Sequence, residues 1–141
     1  MSRAVVSEST RIYTPADRVW AWIGDFLSIA RWHPRVLTCR QSRSGTQKLR
    51  ELDIGAEANL VERLEHHDDA GMRYSYALVS GPLPVKDAEG TIWVHADTAW
   101  SSTVNWEVSF TPKDVGRQEA VAAVRDHVRA GLDSLRFTLA G

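Results

Sequence analysis

The fold is constrained most by a long central stretch, residues 35–112, in which apolar and polar residues alternate and turn residues recur. Alternation with period two is typical of strands that bury one face, and turns rich in Gly or Asp connect such strands into hairpins. One predicted hairpin joins AEANLVERLEHHD to MRYSYALVS through DDAG, and another joins GTIWVHA to SSTVNWEVSF near Asp97. The stretch therefore predicts a run of antiparallel strands.

Helical patterns lie on both sides of this stretch. After a first strand, VVSESTRIY, Thr14 and Asp17 predict a capped helix, and Gly24 and Pro34 limit this region to two short helices. The segment RQEAVAAVRDHVRAGLDSLRFTLA predicts one long closing helix. Its apolar side consists of Val121, Val124, Val128, Leu132, Leu135 and Leu139. We expect a single α+β domain over residues 1–141, in which a curved sheet and the long helix form two layers with space between them.

The composition argues against several classes of protein. The formal net charge is -1 and the cations are spread along the chain, so we expect no nucleic-acid partner. Cys39 is the single cysteine, which leaves no disulfide and no thiolate metal site. No segment has the apolar character of a signal peptide or a membrane span, so we expect a cytoplasmic protein without membrane insertion. The HHDD run at 66–69 predicts a solvated turn and no metal site, because consecutive residues rarely converge on one ion.

One ionisable residue interrupts the apolar face of a predicted strand. Leu60, Glu62 and Leu64 share that face, and a bare buried carboxylate costs several kcal/mol or more unless it is paired, protonated or hydrated. In one interpretation Glu62 reaches into a cavity, where burial raises its pKa and it serves as a general base or holds a polar ligand group. In the other it forms an internal ion pair with the neighbours of Arg63 or with the closing helix and only fixes the fold.

Several strings resemble a known superfamily. They are PADRVWAWIGDFLSIARWHPRV near the start, then VERLEHHDDAGMRYSYALVSGPLPV, then STVNWEVSFTP, followed by the closing helix. In order and spacing they resemble the SRPBCC superfamily, also called START or Bet v 1-like. The likeness is greatest to its bacterial polyketide cyclase/dehydrase-type branch.

The resemblance implies a helix-grip fold, with a curved antiparallel β-sheet wrapped around a long C-terminal helix and two short helices after the first strand. It implies a ligand cavity under the long helix, into which the glutamate of the ERL motif points, here Glu62. The loop SGPLPV corresponds to a lid, and Pro84 in it is a predicted ligand-binding residue. Plant abscisic-acid receptors are also similar here, but their pocket lysine matches Leu37 and their lid His-Arg pair matches Leu83 and Pro84. The resemblance therefore does not extend to hormone binding.

Two histidines and a glycine are further candidates. His33 follows Trp32 at a helix end near the family's pocket mouth, where it could shuttle a proton or simply bond a terminal carbonyl. His127 lies at the edge of the closing helix's apolar stripe and is either catalytic or a partly buried structural residue. Gly131 removes a side chain one turn further on, which predicts room for a ligand. Trp32 and Gly131 are predicted to bind the ligand.

Aromatic residues on two strands complete the predicted site. Tyr74 and Tyr76 share one strand face, and a tyrosine could donate to a carbonyl oxygen as an enolate develops, although core packing explains them equally well. Alternation turns Trp106 inward on the late strand, whereas alignment with the receptors turns Asn105 inward. Both remain candidates, with Tyr76 as a catalytic residue and Tyr74, Asn105 and Trp106 as ligand-binding residues.

The favoured function is binding of a hydrophobic or aromatic small molecule by a polyketide cyclase/dehydrase-like enzyme that promotes cyclisation or dehydration without a cofactor. The alternative is a non-catalytic carrier or sensor of a lipid-like or aromatic ligand, since a fold alone does not decide between them. Polar groups that converge within the cavity favour catalysis, whereas scattered polar groups favour carriage. A partner-binding module with exposed tryptophans is a third, weaker alternative, and a homodimer is left open.

Overall fold

The computed structural model describes residues 3–139. In chain order the elements are β1 Ala4–Ile12, α1 Ala16–Ile23, a 3₁₀ turn Phe26–Ser28, α2 Ile29–Trp32, β2 Thr38–Ser44, β3 Gln47–Asp53, β4 Leu60–Asp68, β5 Arg73–Ser80, β6 Val85–Ala96, β7 Ser102–Pro112 and α3 Arg117–Leu139. Within these residues the strands form one seven-stranded antiparallel sheet in the order β1-β7-β6-β5-β4-β3-β2. The predicted helix-grip α+β architecture is confirmed.

The long helix α3 supplies one side of the core. It packs against β1, β7 and α2. Its buried residues recur at helical spacing, which explains why the sequence forms a helix with one side toward the sheet. They are Ala120, Val124, His127, Val128, Gly131, Leu132 and Leu135. His127 and Gly131 therefore belong to the buried side of α3, whereas Val121 and Leu139 are only partly buried against the core.

The start of α1 differs from the predicted cap. Pro15 occupies the N-cap position, and no side chain caps the helix. Thr14 instead donates its hydroxyl to the carbonyl of Leu139 at 2.9 Å, and the Ser102 hydroxyl donates to the Thr14 carbonyl at 2.9 Å. The predicted Thr14 cap is wrong because this side chain bonds the far end of α3. The loop before α1 thereby joins α3 to the sheet.

Irregular pairing bends the sheet around α3. The pairing of β6 with β7 contains a register shift between Lys86 and Glu89, where Asp87 has a positive φ of 52°. Two further shifts interrupt the pairing of β4 with β5, between Val61 and Glu62 and between Leu64 and His66. Bulges of this kind increase strand twist and bend the sheet. The extra residues fall on three adjacent strands, at Glu65 on β4, at Val79 on β5 and between Lys86 and Glu89 on β6.

No helix within residues 3–139 has both the length and the apolar character needed to cross a membrane. In the same part of the chain, no three His, Cys, Asp or Glu side chains cluster as they would to hold a metal ion. The His66–Asp69 run ends β4 and enters the turn to β5, where its residues are largely exposed. His67 Nε2 donates a 2.7 Å hydrogen bond to the carbonyl of Gly24.

Candidate active site

The centre of the interior is an ion pair between neighbouring strands. Arg50 on β3 lies directly opposite Glu62 on β4, and the two residues are 0% and 5% exposed. Arg50 Nε donates to Glu62 Oε1 at 2.8 Å, and Nη2 lies 2.7 Å from the same oxygen. Nη2 makes no aligned hydrogen bond there, so its contribution is charge attraction. Both contacts reach Oε1, and Oε2 takes no part in them.

The partner of Glu62 corrects one of the two interpretations drawn from the sequence. The acid does form an internal pair, but with Arg50 on the preceding strand rather than with the neighbours of Arg63 or with α3. Arg63 pairs with Glu65 outside the interior, at 2.8 Å. A buried ion pair adds little or nothing to stability relative to apolar residues of similar size. The pairing of Glu62 with Arg50 is therefore not explained by stability alone, and it does not exclude a functional role.

The guanidinium of Arg50 is surrounded by acceptors and aromatic rings. Nη1 donates to the carbonyl of Phe26 at 2.7 Å and to the Tyr74 hydroxyl at 3.2 Å. Its Cζ lies 4.1 Å from the centroid of the Phe26 ring and 5.1 Å from that of Tyr76. Hydrogen bonds and cation–π contacts compensate the loss of hydration on burial. Arg50 thus brings a fixed positive charge into the interior beside Glu62.

Burial changes the acidity of the groups around this charge. Burial raises the pKa of Glu62, and the positive charge and hydrogen bond of Arg50 partly offset that rise. Burial also raises the pKa of Tyr74, against the charge of Arg50. The pKa of Tyr76 lies well above its usual value because of burial and the nearby charge of Glu62. Both phenols therefore keep their hydrogens at neutral pH, and Glu62 is a stronger base than an exposed glutamate.

The late strand β7 presents Trp106, and not Asn105, to the interior. Trp106 is 1% exposed, and the residues of β7 alternate between buried and more accessible positions. Trp106 Nε1 donates to the Tyr76 hydroxyl oxygen at 2.9 Å. Asn105 lies on the opposite face of β7 and is only partly buried, so its predicted ligand-binding place is wrong. The alternation of apolar residues predicts the observed face of β7, and the alignment with the receptors does not, because no bulge interrupts the pairing of β1 with β7.

A stacked pair of imidazoles joins the short helix α2 to α3. The rings of His33 and His127 lie 4.5 Å apart at 29°. His33 Nδ1 accepts from the Arg35 backbone N–H at 3.2 Å, so Nε2 carries the hydrogen and donates to the His127 carbonyl at 2.7 Å. Burial lowers the pKa of His33 to about 4 and that of His127 to about 3. His33 therefore has both nitrogens engaged by backbone groups, which fits a structural role and leaves neither free to shuttle a proton.

The space predicted beside Gly131 is occupied by protein. A Cβ at Gly131 would lie 2.6 Å from His33 Cδ2, 2.9 Å from Trp106 and 3.0 Å from Trp32. Trp32 and Trp106 pack edge to face with ring centroids 5.7 Å apart. Gly131 therefore lets α3 approach these rings, and the prediction that it leaves room for a ligand is wrong. Trp32 packs in this cluster and does not line the small cavity that lies under α3.

A small cavity remains under α3. Its volume is about 30 Å³, which suffices for one or two water molecules. Three polar side chains line it, those of Glu62, Tyr76 and His127. The apolar lining residues are Leu60, Leu78, Leu83, Val85, Ala88, Val108 and Val124. Side chains of Glu62, Tyr76 and His127 thus face one small space between β4, β5 and α3.

The predicted lid loop closes this cavity through Leu83. Leu83 is partly buried and lines the cavity, whereas Pro84 does not. The carbonyl of Pro84 accepts from the Lys113 backbone N–H at 2.9 Å, which ties the loop to the end of β7. Pro84 was predicted to contact the ligand, but the neighbouring residue Leu83 is the one whose side chain reaches the interior. Tyr74 likewise bonds Arg50 and does not line the cavity.

A larger groove, open to solvent, shares Phe26 with this cluster. It has a volume of about 460 Å³, and its lining includes Trp20, Lys48, His67 and Asp69. Trp20 Nε1 donates to Asp69 at 2.9 Å, and His67 is bonded to a backbone carbonyl. Its polar groups largely satisfy one another, so the groove is a weaker candidate than the smaller interior space.

Arg50 is the main residue that the sequence analysis missed. Arg50 and Leu52 share the buried face of β3, just as Glu62 and Leu60 share that of β4. Two opposite charges on matching faces of consecutive strands were the available signal, since such strands pair directly in a hairpin. The signal was weak because Lys48 and Glu51 make the same strand strongly charged on both faces.

The fold and this interior define a helix-grip protein, and comparison with known proteins assigns its family. Residues 3–140 match the family model described as polyketide cyclase / dehydrase and lipid transport. The chain belongs to this family, and the predicted resemblance is confirmed. A search of curated proteins found no match.

Several solved structures are similar over almost their whole length. The protein XoxI from Bacillus cereus is 28% identical with a TM-score of 0.90, over 96% of this chain and 95% of that one. A putative uncharacterized protein from Bacillus thuringiensis is 29% identical with a TM-score of 0.91, over 98% and 100%. The Zhui aromatase/cyclase from Streptomyces sp. R1128 is 18% identical with a TM-score of 0.81, over 98% and 94%, and shares the fold.

Proposed function

We propose that this protein is a cofactor-independent cyclase or dehydratase that acts on a hydrophobic, polyketide-like or aromatic carbonyl compound bound under α3. The observation that carries the proposal is that Glu62 and Tyr76 line the same small interior cavity, with the charge of Arg50 beside both of them. A merely packed core would not require an acid, a base-strengthening environment and a phenol donor at one point. The family description and the aromatase/cyclase name of the Zhui protein agree with this class of reaction.

The proposed reaction uses only the protein's own groups. Glu62 Oε2 removes a proton from the carbon beside a carbonyl, and the Tyr76 hydroxyl donates to the oxygen on which the enolate charge develops. The enolate carbon attacks a second carbonyl of the same molecule, and a C–C bond forms as the carboxyl group of Glu62 returns its proton to that oxygen. In a dehydration, Glu62 takes the proton from the carbon between the carbonyl and the carbon that carries the hydroxyl group. A C=C bond forms as hydroxide leaves, and the hydroxide takes the proton from the Glu62 carboxyl group to give water.

Binding in this scheme requires the part of the lid loop between β5 and β6, residues 81–84, to move. Cavities that hold drug-sized ligands are roughly 300–1,000 Å³, an order of magnitude more than the interior cavity of about 30 Å³. Leu83 is the lining side chain contributed by this loop, and Gly81 and Pro82 beside it are exposed. Outward movement of Leu83 would enlarge the cavity and its entrance while the cluster around Arg50 stays in place. The structure then corresponds to the closed form of the site.

The proposal is tested with a linear diketone whose carbonyls are separated by three methylene groups. This compound closes to a six-membered enone with loss of water, and the enone is followed by ultraviolet absorbance. We expect the protein to accelerate closure and Glu62→Gln to lose roughly 10²–10⁴-fold of that rate, as removal of a general base does. Glu65→Gln, on the exposed part of the same strand, is the matched control and should react at the normal rate. A normal rate for Glu62→Gln would remove the acid from the mechanism.

Carriage of a lipid-like or aromatic ligand is the second candidate. It is favoured by the apolar character of the wall, since seven of the ten residues lining the cavity are aliphatic. A carrier would bind its ligand equally well in wild type and in Glu62→Gln and would release it unchanged. Native mass spectrometry of the purified protein, with identification of any bound molecule, separates the two cases.

A further inference from the structure

Gly90 on β6 lies directly opposite Tyr76 on β5. A Cβ at Gly90 would lie 2.2 Å from Tyr76 Cζ, 2.3 Å from its hydroxyl oxygen and 2.6 Å from Cε1, far inside the range of real contacts. The φ angle of Gly90 is not one of the positive values in the chain, so its backbone conformation does not demand glycine. Glycine is required because the phenol ring occupies the place where any other residue would carry its side chain.

Beyond Gly90 the phenol reaches the next strand, β7. There Trp106 Nε1 donates to its oxygen at 2.9 Å. An indole N–H is a donor only, so the Tyr76 oxygen must accept in this bond. The phenol hydrogen is then left to point elsewhere, and the side chain lines the cavity that Glu62 also lines. Three adjacent strands thus fix both the place of the hydroxyl and the direction of its hydrogen bonding.

We propose that Gly90 and Trp106 are positioning residues that make the Tyr76 hydroxyl a dedicated hydrogen-bond donor to an oxygen of the bound ligand. This inference rests on the proposed function and narrows its substrate class, because the site then prefers a ligand with a carbonyl or enolate oxygen at this point. An apolar ligand of the same shape would leave the phenol hydrogen without an acceptor, which is costly in a buried site.

The positioning is tested first without any ligand. We expect Gly90→Ala to lower the melting temperature and to shift the Nε1–H resonance of Trp106 in the NMR spectrum, since the added methyl group displaces the phenol. Gly116→Ala is the matched control, because a Cβ at Gly116 meets nothing within 4 Å. In a Tyr76→Ala background Gly90→Ala should have almost no effect on the melting temperature. An equal loss in both backgrounds would show that Gly90 does not act through Tyr76.

The donor role is tested with two probes of matched shape, the bicyclic ketone α-tetralone and its carbonyl-free analogue tetralin. We expect the wild type to bind the ketone about 3–10-fold more tightly, the range expected for one neutral hydrogen bond. The preference should vanish in Tyr76→Phe, fall in Trp106→Phe and Gly90→Ala, and persist in Gly116→Ala. Trp106→Phe keeps an aromatic ring in the core and removes the N–H donor, and it also reduces the size of the ring.

The outcomes separate this inference from the proposed function. Equal binding of both probes by the wild type would overturn the donor role while interior ligand binding stands. Binding of neither probe would overturn both. A full ketone preference in Trp106→Phe would show that the Tyr76 hydroxyl donates to the ligand without the hydrogen bond from Trp106.

Discussion

Arg50 and Glu62 face each other across β3 and β4, both buried, with Arg50 Nε 2.8 Å from Glu62 Oε1. Two charges leave water to make this contact, and an apolar pair of the same size would stabilise the fold at least as well. The pair also places a carboxylate and a positive charge beside the Tyr76 phenol. We interpret it as part of a site whose arrangement serves ligand chemistry more than stability.

Arg50→Met should destabilise the protein strongly. The expected loss in the free energy of unfolding is about 3–5 kcal/mol, because the change leaves the Glu62 carboxylate buried without its partner. In the double variant Arg50→Met, Glu62→Leu most of this loss should be recovered. Urea denaturation of the single and double variants measures both quantities.

The control for this prediction is the exposed pair Arg40–Glu51, which also joins adjacent strands, β2 and β3, at 3.1 Å. Arg40→Met should leave the free energy of unfolding almost unchanged, since exposed ion pairs contribute little. Similar losses for Arg40→Met and Arg50→Met would contradict the importance given to burial.

Stability should fall in mild acid because of the two stacked histidines. Burial holds the pKa of His33 at about 4 and that of His127 at about 3, below their ordinary value of 6.5. Between these values the unfolded chain binds protons that the folded chain does not, so stability is lost as the pH falls from about 6.5 through 4. Urea denaturation across this range measures the slope. His127→Gln should flatten it, and an unchanged slope would show that other groups control the acid response.

Gly131→Ala should lower stability rather than block a ligand. The added Cβ would lie 2.6 Å from His33 and 2.9 Å from Trp106, and overpacking of a filled core typically costs about 1–3 kcal/mol. Thermal unfolding beside Gly116→Ala, where the added group meets open space, measures the difference. If both variants melt together, the packing of α3 on these rings is looser than the structure has it.

Leu83→Ala should speed the entry of hydrophobic ligands. Leu83 is the lid-loop side chain that lines the cavity, so its truncation removes part of the cover. Stopped-flow measurement of α-tetralone association should give a higher rate constant than in wild type. Leu37→Ala is the control, because Leu37 is a leucine on the exposed surface. An unchanged association rate in Leu83→Ala would place the entrance elsewhere.

The sequence predicted the fold and part of the site for identifiable physical reasons. Alternation with period two located the strands, placed Glu62 inside and turned Trp106 inward, because these faces are set locally by the pleat. Helical periodicity located α3 and its buried side. Such patterns depend on neighbouring residues in the chain, which is why they could be read from the sequence.

The parts that were missed depend on contacts between distant residues. Arg50 could be assigned to Glu62 only once β3 and β4 were paired in register. Gly131 looked like free space because the sequence does not show His33 and Trp106 filling it. The requirement for glycine at position 90 became apparent only from the Tyr76 ring, which lies opposite Gly90 on the neighbouring strand. Register and the packing of α2 on α3 are properties of the folded chain.

The central claim is that a hydrophobic carbonyl compound binds under α3 beside Glu62 and Tyr76. A crystal structure of the protein with α-tetralone tests it most directly. We predict the ketone oxygen within hydrogen-bond distance of the Tyr76 hydroxyl, with Leu83 moved outward and the Arg50–Glu62 pair intact. A ketone bound instead in the open groove lined by Trp20 and His67, with the interior still closed, would contradict the account.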